Sequence, residues 1–176
     1  MEAKATATGS SDYRAPDGTD IGHVHLKVAD LERSLAFYVG VLGFQLTQRY
    51  GKQAAFVSAG GYHHHIGLNT WHSEGGSPPS PRNTGLYHLA IRYPSRMDLA
   101  RALNRLVEAG VRLRGASDHG VSEAIYLDDP DSNGVELYWD RPREEWPMAS
   151  DGSLAMKTEH LDVDGLLASA SISPAL

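Results

Sequence analysis

The sequence predicts an α+β domain of two paired β-α-β-β-β modules, their strands forming a curved mixed sheet with the helices outside. Three observations predict it. Strand-like and helix-like segments run in the same order twice along the chain. His23 and His88 stand 65 residues apart, and so do Asp30 and Ser95, each placed to cap the helix of its unit. Each unit also closes on a strand carrying Leu and then Trp, "GLNTW" in the first and "ELYW" in the second. Such a repeat marks a duplicated supersecondary unit that cannot bury its apolar face alone. Two copies packed side by side bury it most simply, with the sheets curving around a shared cavity and a helix on each outer face.

Residues 1–19 are small, polar and turn-rich, and predict a flexible arm ahead of a domain spanning 20–142. In the first module, about 20–72, "IGHVHLKV" reads as a strand and Asp30 as an N-cap. Leu31, Leu35, Tyr38 and Leu42 then recur at helical spacing, and Gly43 stops the helix. "FQLTQRY" and "QAAFVSA" flank Gly51-Lys52 as a hairpin, and "YHHHIGLNTW" supplies the closing strand. The Gly, Ser and Pro density of "HSEGGSPPSPRNTG" marks an exposed connection. The second module, about 85–142, opens on "GLYHLAIRY", and Ser95 with Asp98 resembles a capping box. Leu99, Leu103, Leu106 and Val107 line one helical face, and Gly110 ends the helix. "VRLRG", "SEAIYL" and "GVELYWD" are the remaining strands. Residues 143–176 read as a polar tail holding one short helix, "LDVDGLLASA".

Composition narrows the chemistry. With 41% hydrophobic and 22% charged residues, the 176-residue chain has an ordinary globular make-up. A net charge of −6 argues against nucleic acid, whose affinity comes mainly from Lys and Arg on phosphate. No apolar run is long enough to span a bilayer, and "MEAKATATGSSDYRAPDGTD" lacks the pattern of a secretory signal, so a cytoplasmic location is expected. The absence of cysteine excludes disulfides, thiolate metal sites and a Cys nucleophile. Nine histidines, several of them clustered, are the oddity.

His23 and His88 hold equivalent places in the two opening strands, so pseudo-symmetry puts them at equivalent points across the cavity. Glu136 lies in the last strand of the second module. Two imidazoles and one carboxylate can occupy one face of an octahedral metal and leave the other open. Against this stands the ordinary behaviour of such residues: a strand His is more often exposed or hydrogen-bonded than a ligand, and a strand Glu usually faces water. His25 shares strand parity with His23, so the pattern leaves open which of them faces inward. The run "HHH" at 63–65 cannot ligate one ion as a strand, because adjacent strand residues point to opposite faces.

Taken together, the paired modules and "GHVHLKVADLERSLAFYVGVLGF" resemble the vicinal oxygen chelate superfamily, which includes glyoxalase I, fosfomycin- and bleomycin-resistance proteins and extradiol ring-cleaving dioxygenases. The resemblance covers roughly residues 20–142 and implies His23, His88 and Glu136 as metal ligands. Aligning "IGLNTW" with "VELYW" sets Gly67 opposite Glu136, where glyoxalase I carries a carboxylate; three protein ligands and open positions then favour the dioxygenase arrangement. "HGVSEAIYLDDPDSNGVELYWDRP" is similar to the extradiol dioxygenase signature through His119, Ile125, Tyr126, Asp129, Pro130 and Glu136. Ser117 and Ser132 depart from it, Ser132 standing where Gly or Pro is expected in the turn.

The resemblance implies an Fe(II)-dependent dioxygenase, with Mn(II) as the alternative metal, that opens a catechol-type aromatic diol with O2 and pairs as a homodimer. It places the acid/base at His64, although strand parity counted from Gly67 favours His65. Tyr126 and His119 are implied to contact substrate oxygens, and His63 and His72 to be structural or exposed. The same resemblance admits other metalloenzymes (isomerase, lyase or thiol transferase) and metal-free binding proteins of the bleomycin-resistance kind. Many relatives of the dioxygenase type contain two such domains, whereas this chain has one pair of modules.

Overall fold

The computed structural model describes residues 13–170. Most of the predicted arm, up to residue 12, and the end of the predicted tail, 171–176, lie outside the described residues. Residues 13–23 carry no regular element.

The duplicated order is present, and its strands form two mixed sheets, one from each module. The first sheet contains β1 (Val24–Lys27), β2 (Gln45–Tyr50), β3 (Ala54–Ser58) and β4 (Ile66–Asn69) in the order β1-β4-β3-β2. The second contains β5 (Leu89–Arg92), β6 (Leu113–Asp118), β7 (Ser122–Asp128), β8 (Gly134–Asp140) and β9 (Glu159–His160) in the order β5-β8-β7-β6-β9. In each, the opening strand runs parallel to the strand that closes the module, and the remaining pairs are antiparallel. The 65-residue repeat in the sequence is the offset between β1 and β5. Register keeps the equivalence: His25 pairs with Gly67 as Ala90 pairs with Glu136.

Both helices start on the predicted caps. Asp30 Oδ1 accepts the Arg33 N–H at 3.0 Å ahead of α1 (Leu31–Leu35), and Ser95 Oγ accepts the Asp98 N–H at 3.1 Å ahead of α2 (Arg96–Glu108). After Leu35 the first helix widens into a π-helical turn, Ala36–Val41, in which the Leu42 N–H reaches back five residues to the Phe37 carbonyl at 2.9 Å. The wider turn brings both Phe37 and Tyr38 into the core. On α2 the sequence reading needs one correction. Leu99, Leu103 and Leu106 are fully buried, but Val107 is 55% exposed. At 3.6 residues per turn it lies about 100° round the helix from Leu106, beyond the stripe facing the sheet.

A single apolar core runs through both modules, from Leu26, Val57 and Leu68 to Leu103, Ile125 and Leu137. The segment after Pro142 joins it, contrary to its polar tail-like composition. β9 pairs with the β6 edge, α3 (Val163–Ser169) packs on α2, and Leu161 and Leu166 are buried. Among the described residues no helix is long and apolar enough to cross a membrane.

The turn between β7 and β8 locks the modules together. Asp131, almost fully buried, accepts from the Ala29 N–H at 3.0 Å and from Arg33 at 2.6 Å. Asp129 accepts from the Asp131 and Asn133 N–H groups, from the Asn133 amide, and from the Tyr38 hydroxyl at 2.9 Å. Burial and the Asp129 carboxylate push that hydroxyl far above the ordinary tyrosine pKa. Ser132 has φ = 63°, the only positive φ outside glycine among the described residues, which is why Gly suits this turn position. Ser132→Gly is therefore expected to raise stability by about 0.5–1 kcal/mol without altering the site; an unchanged or lower urea midpoint would contradict it.

Candidate active site

Alternation along β7 and β8 sorts the side chains. Ile125, Leu127, Val135 and Leu137 go to the core, while Tyr126 and Glu136 are directly paired on the half-open face. His88 immediately precedes β5, and the Leu89–Val135 register carries it to the start of β8. This approach needs Gly134, because a Cβ there would run into the Tyr87 carbonyl oxygen and lie 3.1 Å from the His88 Cβ. His88 Nε2 consequently stands 3.0 Å from Glu136 Oε2. On the carboxylate's other side, the Tyr126 hydroxyl is 3.3 Å from Oε1, and His119 Nε2 is 2.7 Å from that hydroxyl.

The four side chains thus form one continuous run, His88–Glu136–Tyr126–His119. His88, Tyr126 and His119 line a cavity of about 350 Å³, with Tyr87, Ser117 and Thr158 in its wall. Glu136 lies behind them with 13% of its side chain exposed. Burial, and then the Glu136 carboxylate, push the Tyr126 phenol up to about 12. It therefore keeps its proton through the neutral range and acts as a donor there.

A second group gathers on the first sheet. His23 immediately precedes β1, and its ring centroid lies 4.4 Å from that of His64 and 6.4 Å from that of His63. His63 and His64 meet through their Nδ1 atoms at 2.7 Å. Burial, followed by the neighbouring imidazoles with His23 first, holds the His64 pKa below the ordinary histidine value. The His triplet is not in a strand: β4 begins only at Ile66, so strand alternation does not decide between His64 and His65. His65 is taken up elsewhere. Its Nδ1 lies 2.9 Å from Ser58 Oγ and accepts the Ala59 N–H, and its ring sits between Phe44 and Tyr62. His63 packs on Tyr62, and His72 is exposed.

His25 lies over Gly67, whose missing Cβ would come within 2.8 Å of the imidazole ring. Burial, then the charge of His23, lowers its pKa. The place of a fourth, carboxylate ligand is thus empty of side chain and covered by a ring.

Part of this donor set matches the coordination geometry of a metal ion. Two donors at right angles on an octahedral ion with bonds of about 2.1 Å lie about 3.0 Å apart, the separation of His88 Nε2 and Glu136 Oε2. The pair fits. The third expected ligand, His23, stands with His64 instead, and among the described residues no three His, Asp or Glu side chains converge as a metal site. The reason is topological: strand register within one sheet fixes His88 beside Glu136, whereas no backbone pairing ties the start of β1 to the second sheet. His119 and Tyr126 come together as the signature implied. Thr158 and the Lys157 carbonyl, both beside His119, were missed. Their segment contains only a two-residue strand and no periodic pattern, so the sequence carries no signal for them.

A family model described as the Glyoxalase/Bleomycin resistance protein/Dioxygenase superfamily matches residues 20–137. A catechol-2,3-dioxygenase of Bacillus subtilis (strain 168) is 42% identical over 154 residues, 88% of this chain and 53% of that protein. A probable lactoylglutathione lyase of Synechocystis sp. (strain ATCC 27184 / PCC 6803 / Kazusa) is 27% identical, over 65% of this chain and 91% of its own length. Of four dioxygenase relatives, this chain spans only 42% to 63% of the length. Among solved structures, a glyoxalase/dioxygenase from Nostoc punctiforme superposes with a TM-score of 0.61 at 21% identity, covering 76% of this chain and all of the other. That likeness concerns the fold.

Proposed function

The chain belongs to the glyoxalase/bleomycin resistance protein/dioxygenase superfamily, and from that membership we propose that it is an extradiol dioxygenase opening the ring of a catechol-type diol. The observation that carries this reading is the contiguous run His88–Glu136–Tyr126–His119, in a chain 42% identical to a catechol-2,3-dioxygenase. His88 and Glu136 would hold the metal; His23, which stands with His64 on the first sheet, is the third ligand that the family resemblance implies. Fe(II) is the proposed ion, and the donor set suits Mn(II) as well. When bound, it would acidify the hydroxyls of a chelated diol and bring O2 beside the ring.

The protein's own groups then have distinct tasks. Tyr126, protonated at neutral pH, presents its hydroxyl oxygen to the substrate, accepting from a diol O–H while its own proton lies toward His119. His119 holds the Tyr126 hydroxyl from behind, in the wall of the same cavity. His64 is the proposed acid/base. Its lowered pKa leaves the imidazole free to take a diol proton, and its contact with His23 supports it over His65. The exposed Tyr87 ring in the cavity wall suits an aromatic substrate.

A lyase of the lactoylglutathione type is the second reading, favoured by the near-complete coverage of the Synechocystis relative. The His25 ring over Gly67 weighs against it, because that arrangement excludes a fourth carboxylate there. The test is anaerobic loading with Fe(II) or Mn(II), then air and a panel of catechols, following oxygen uptake and the yellow ring-cleavage product. His64→Ala is expected to lose turnover by about 100-fold or more while keeping metal; His65→Ala is expected to retain it. Full metal occupancy without oxygen uptake on any catechol would replace this reading by the lyase. Loss of turnover in His65→Ala alone would move the acid/base.

A further inference from the structure

We propose that the strap Lys157–His160 is a positioning element for His119, fixing its imidazole as the Nδ1–H tautomer so that the Nε2 lone pair faces the Tyr126 hydroxyl. The inference deepens the dioxygenase reading and rests on it only for the consequence in turnover. The strap is anchored at both ends. β9 pairs with β6 through Ser117–His160 and Asp118–Glu159, and Leu161 beyond it is buried. Before it, Pro147 and Lys157 crowd Gly120, whose φ of 75° and lack of Cβ permit the contact.

Between these anchors Lys157 holds His119 twice. Its N–H donates to the His119 carbonyl at 3.1 Å, and its own carbonyl lies 3.0 Å from His119 Nδ1. A carbonyl only accepts, so Nδ1 must carry the proton; a neutral imidazole has one, and Nε2 is left bare. Across 2.7 Å the Tyr126 hydroxyl then donates to Nε2, the shorter of its two contacts. Its single proton is thereby directed away from Glu136, whose Oε1 stays free. A second proton on His119 reverses the chain: Nε2–H donates to the Tyr126 oxygen, and the phenol proton turns to Glu136. The strap therefore makes His119 Nε2 the acceptor toward which the Tyr126 hydroxyl points. Thr158 Oγ1, 3.3 Å from Nδ1, can accept from the same N–H, and the shorter carbonyl contact sets the tautomer.

Long-range proton–nitrogen NMR of the metal-free full-length chain tests this directly, with His119→Gln used only to assign the signal. In the neutral imidazole His119 is expected to favour Nδ1–H at least about fivefold. A predominant Nε2–H form would overturn the proposal. Thr158→Val is expected to leave the preference unchanged, and a switch of tautomer there would show that the hydroxyl sets it instead. Lys157→Pro, which removes the docking N–H, is expected to cut the preference to about twofold or less; an intact preference in the folded variant would overturn the proposal. If that variant does not fold, the wild-type and Thr158→Val spectra still decide. None of these readouts involves turnover, so the absence of catechol cleavage would overturn the dioxygenase reading and leave the tautomer result standing.

Discussion

Glu136→Ala is expected to lower the affinity for Fe(II) at least about 100-fold and to abolish ring cleavage, with the fold intact. Loss of an outer-shell partner alone commonly costs 10–100-fold in metal affinity, so loss of a ligand sets the lower bound. The carboxylate is also the junction of the site, with Oε2 at 3.0 Å from His88 and Oε1 at 3.3 Å from Tyr126. Its removal leaves the Tyr126 hydroxyl its shorter bond to His119, so no buried donor is orphaned and the stability cost is about 1 kcal/mol or less. Metal titration by calorimetry beside thermal unfolding separates the two effects. Wild-type affinity in the variant would remove Glu136 from the ligand set and direct attention to the His23–His64 group.

Asp129→Ala is expected to destabilise the fold by about 3–5 kcal/mol. Among the described residues every buried side-chain polar atom has a partner. Losing this carboxylate would orphan the Tyr38 hydroxyl, which is fully buried, and free the donors of Asp131 and Asn133 that shape the turn. The cost of a buried unsatisfied donor is about 1–3 kcal/mol. Tyr38→Phe is the control: it removes the hydroxyl while Asp129 keeps its N–H donors, at about 1 kcal/mol. At roughly 2–4 °C per kcal/mol for a chain of this size, the first variant should lose about 10 °C in Tm and the second only a few. Equal losses in the two would mean that the turn contributes little and that the hydroxyl bond is the whole effect.

Some sequence signals change meaning in the structure. Asp129 belongs to the signature that implied a dioxygenase, yet its contacts are to Tyr38 and to its own turn, and Asp131 beside it grips the start of the first helix. The residue holds the modules and sets the β7–β8 register. Tyr126 and Glu136 are brought opposite each other by that register. The spacing of the signature is thus the geometry of a hairpin, which is why it was legible from residue order.

The sequence by itself determined the two modules, their offset, both helix caps, and the two strands that carry Tyr126 and Glu136. All of these depend on local hydrogen bonds or on strand periodicity, which act over a few residues and leave a pattern in the chain. Only the tertiary structure decided the rest. It placed His64 rather than His65 against His23, because the triplet precedes β4 and takes its direction from packing. It left His23 apart from His88 and Glu136, since contacts between separate sheets are set by how the modules pack and not by any register. It also brought Lys157 to His119 across a long stretch of chain, by pairing a two-residue strand with the β6 edge. A strand that short, with no alternating pattern, is specified by the neighbour that receives it.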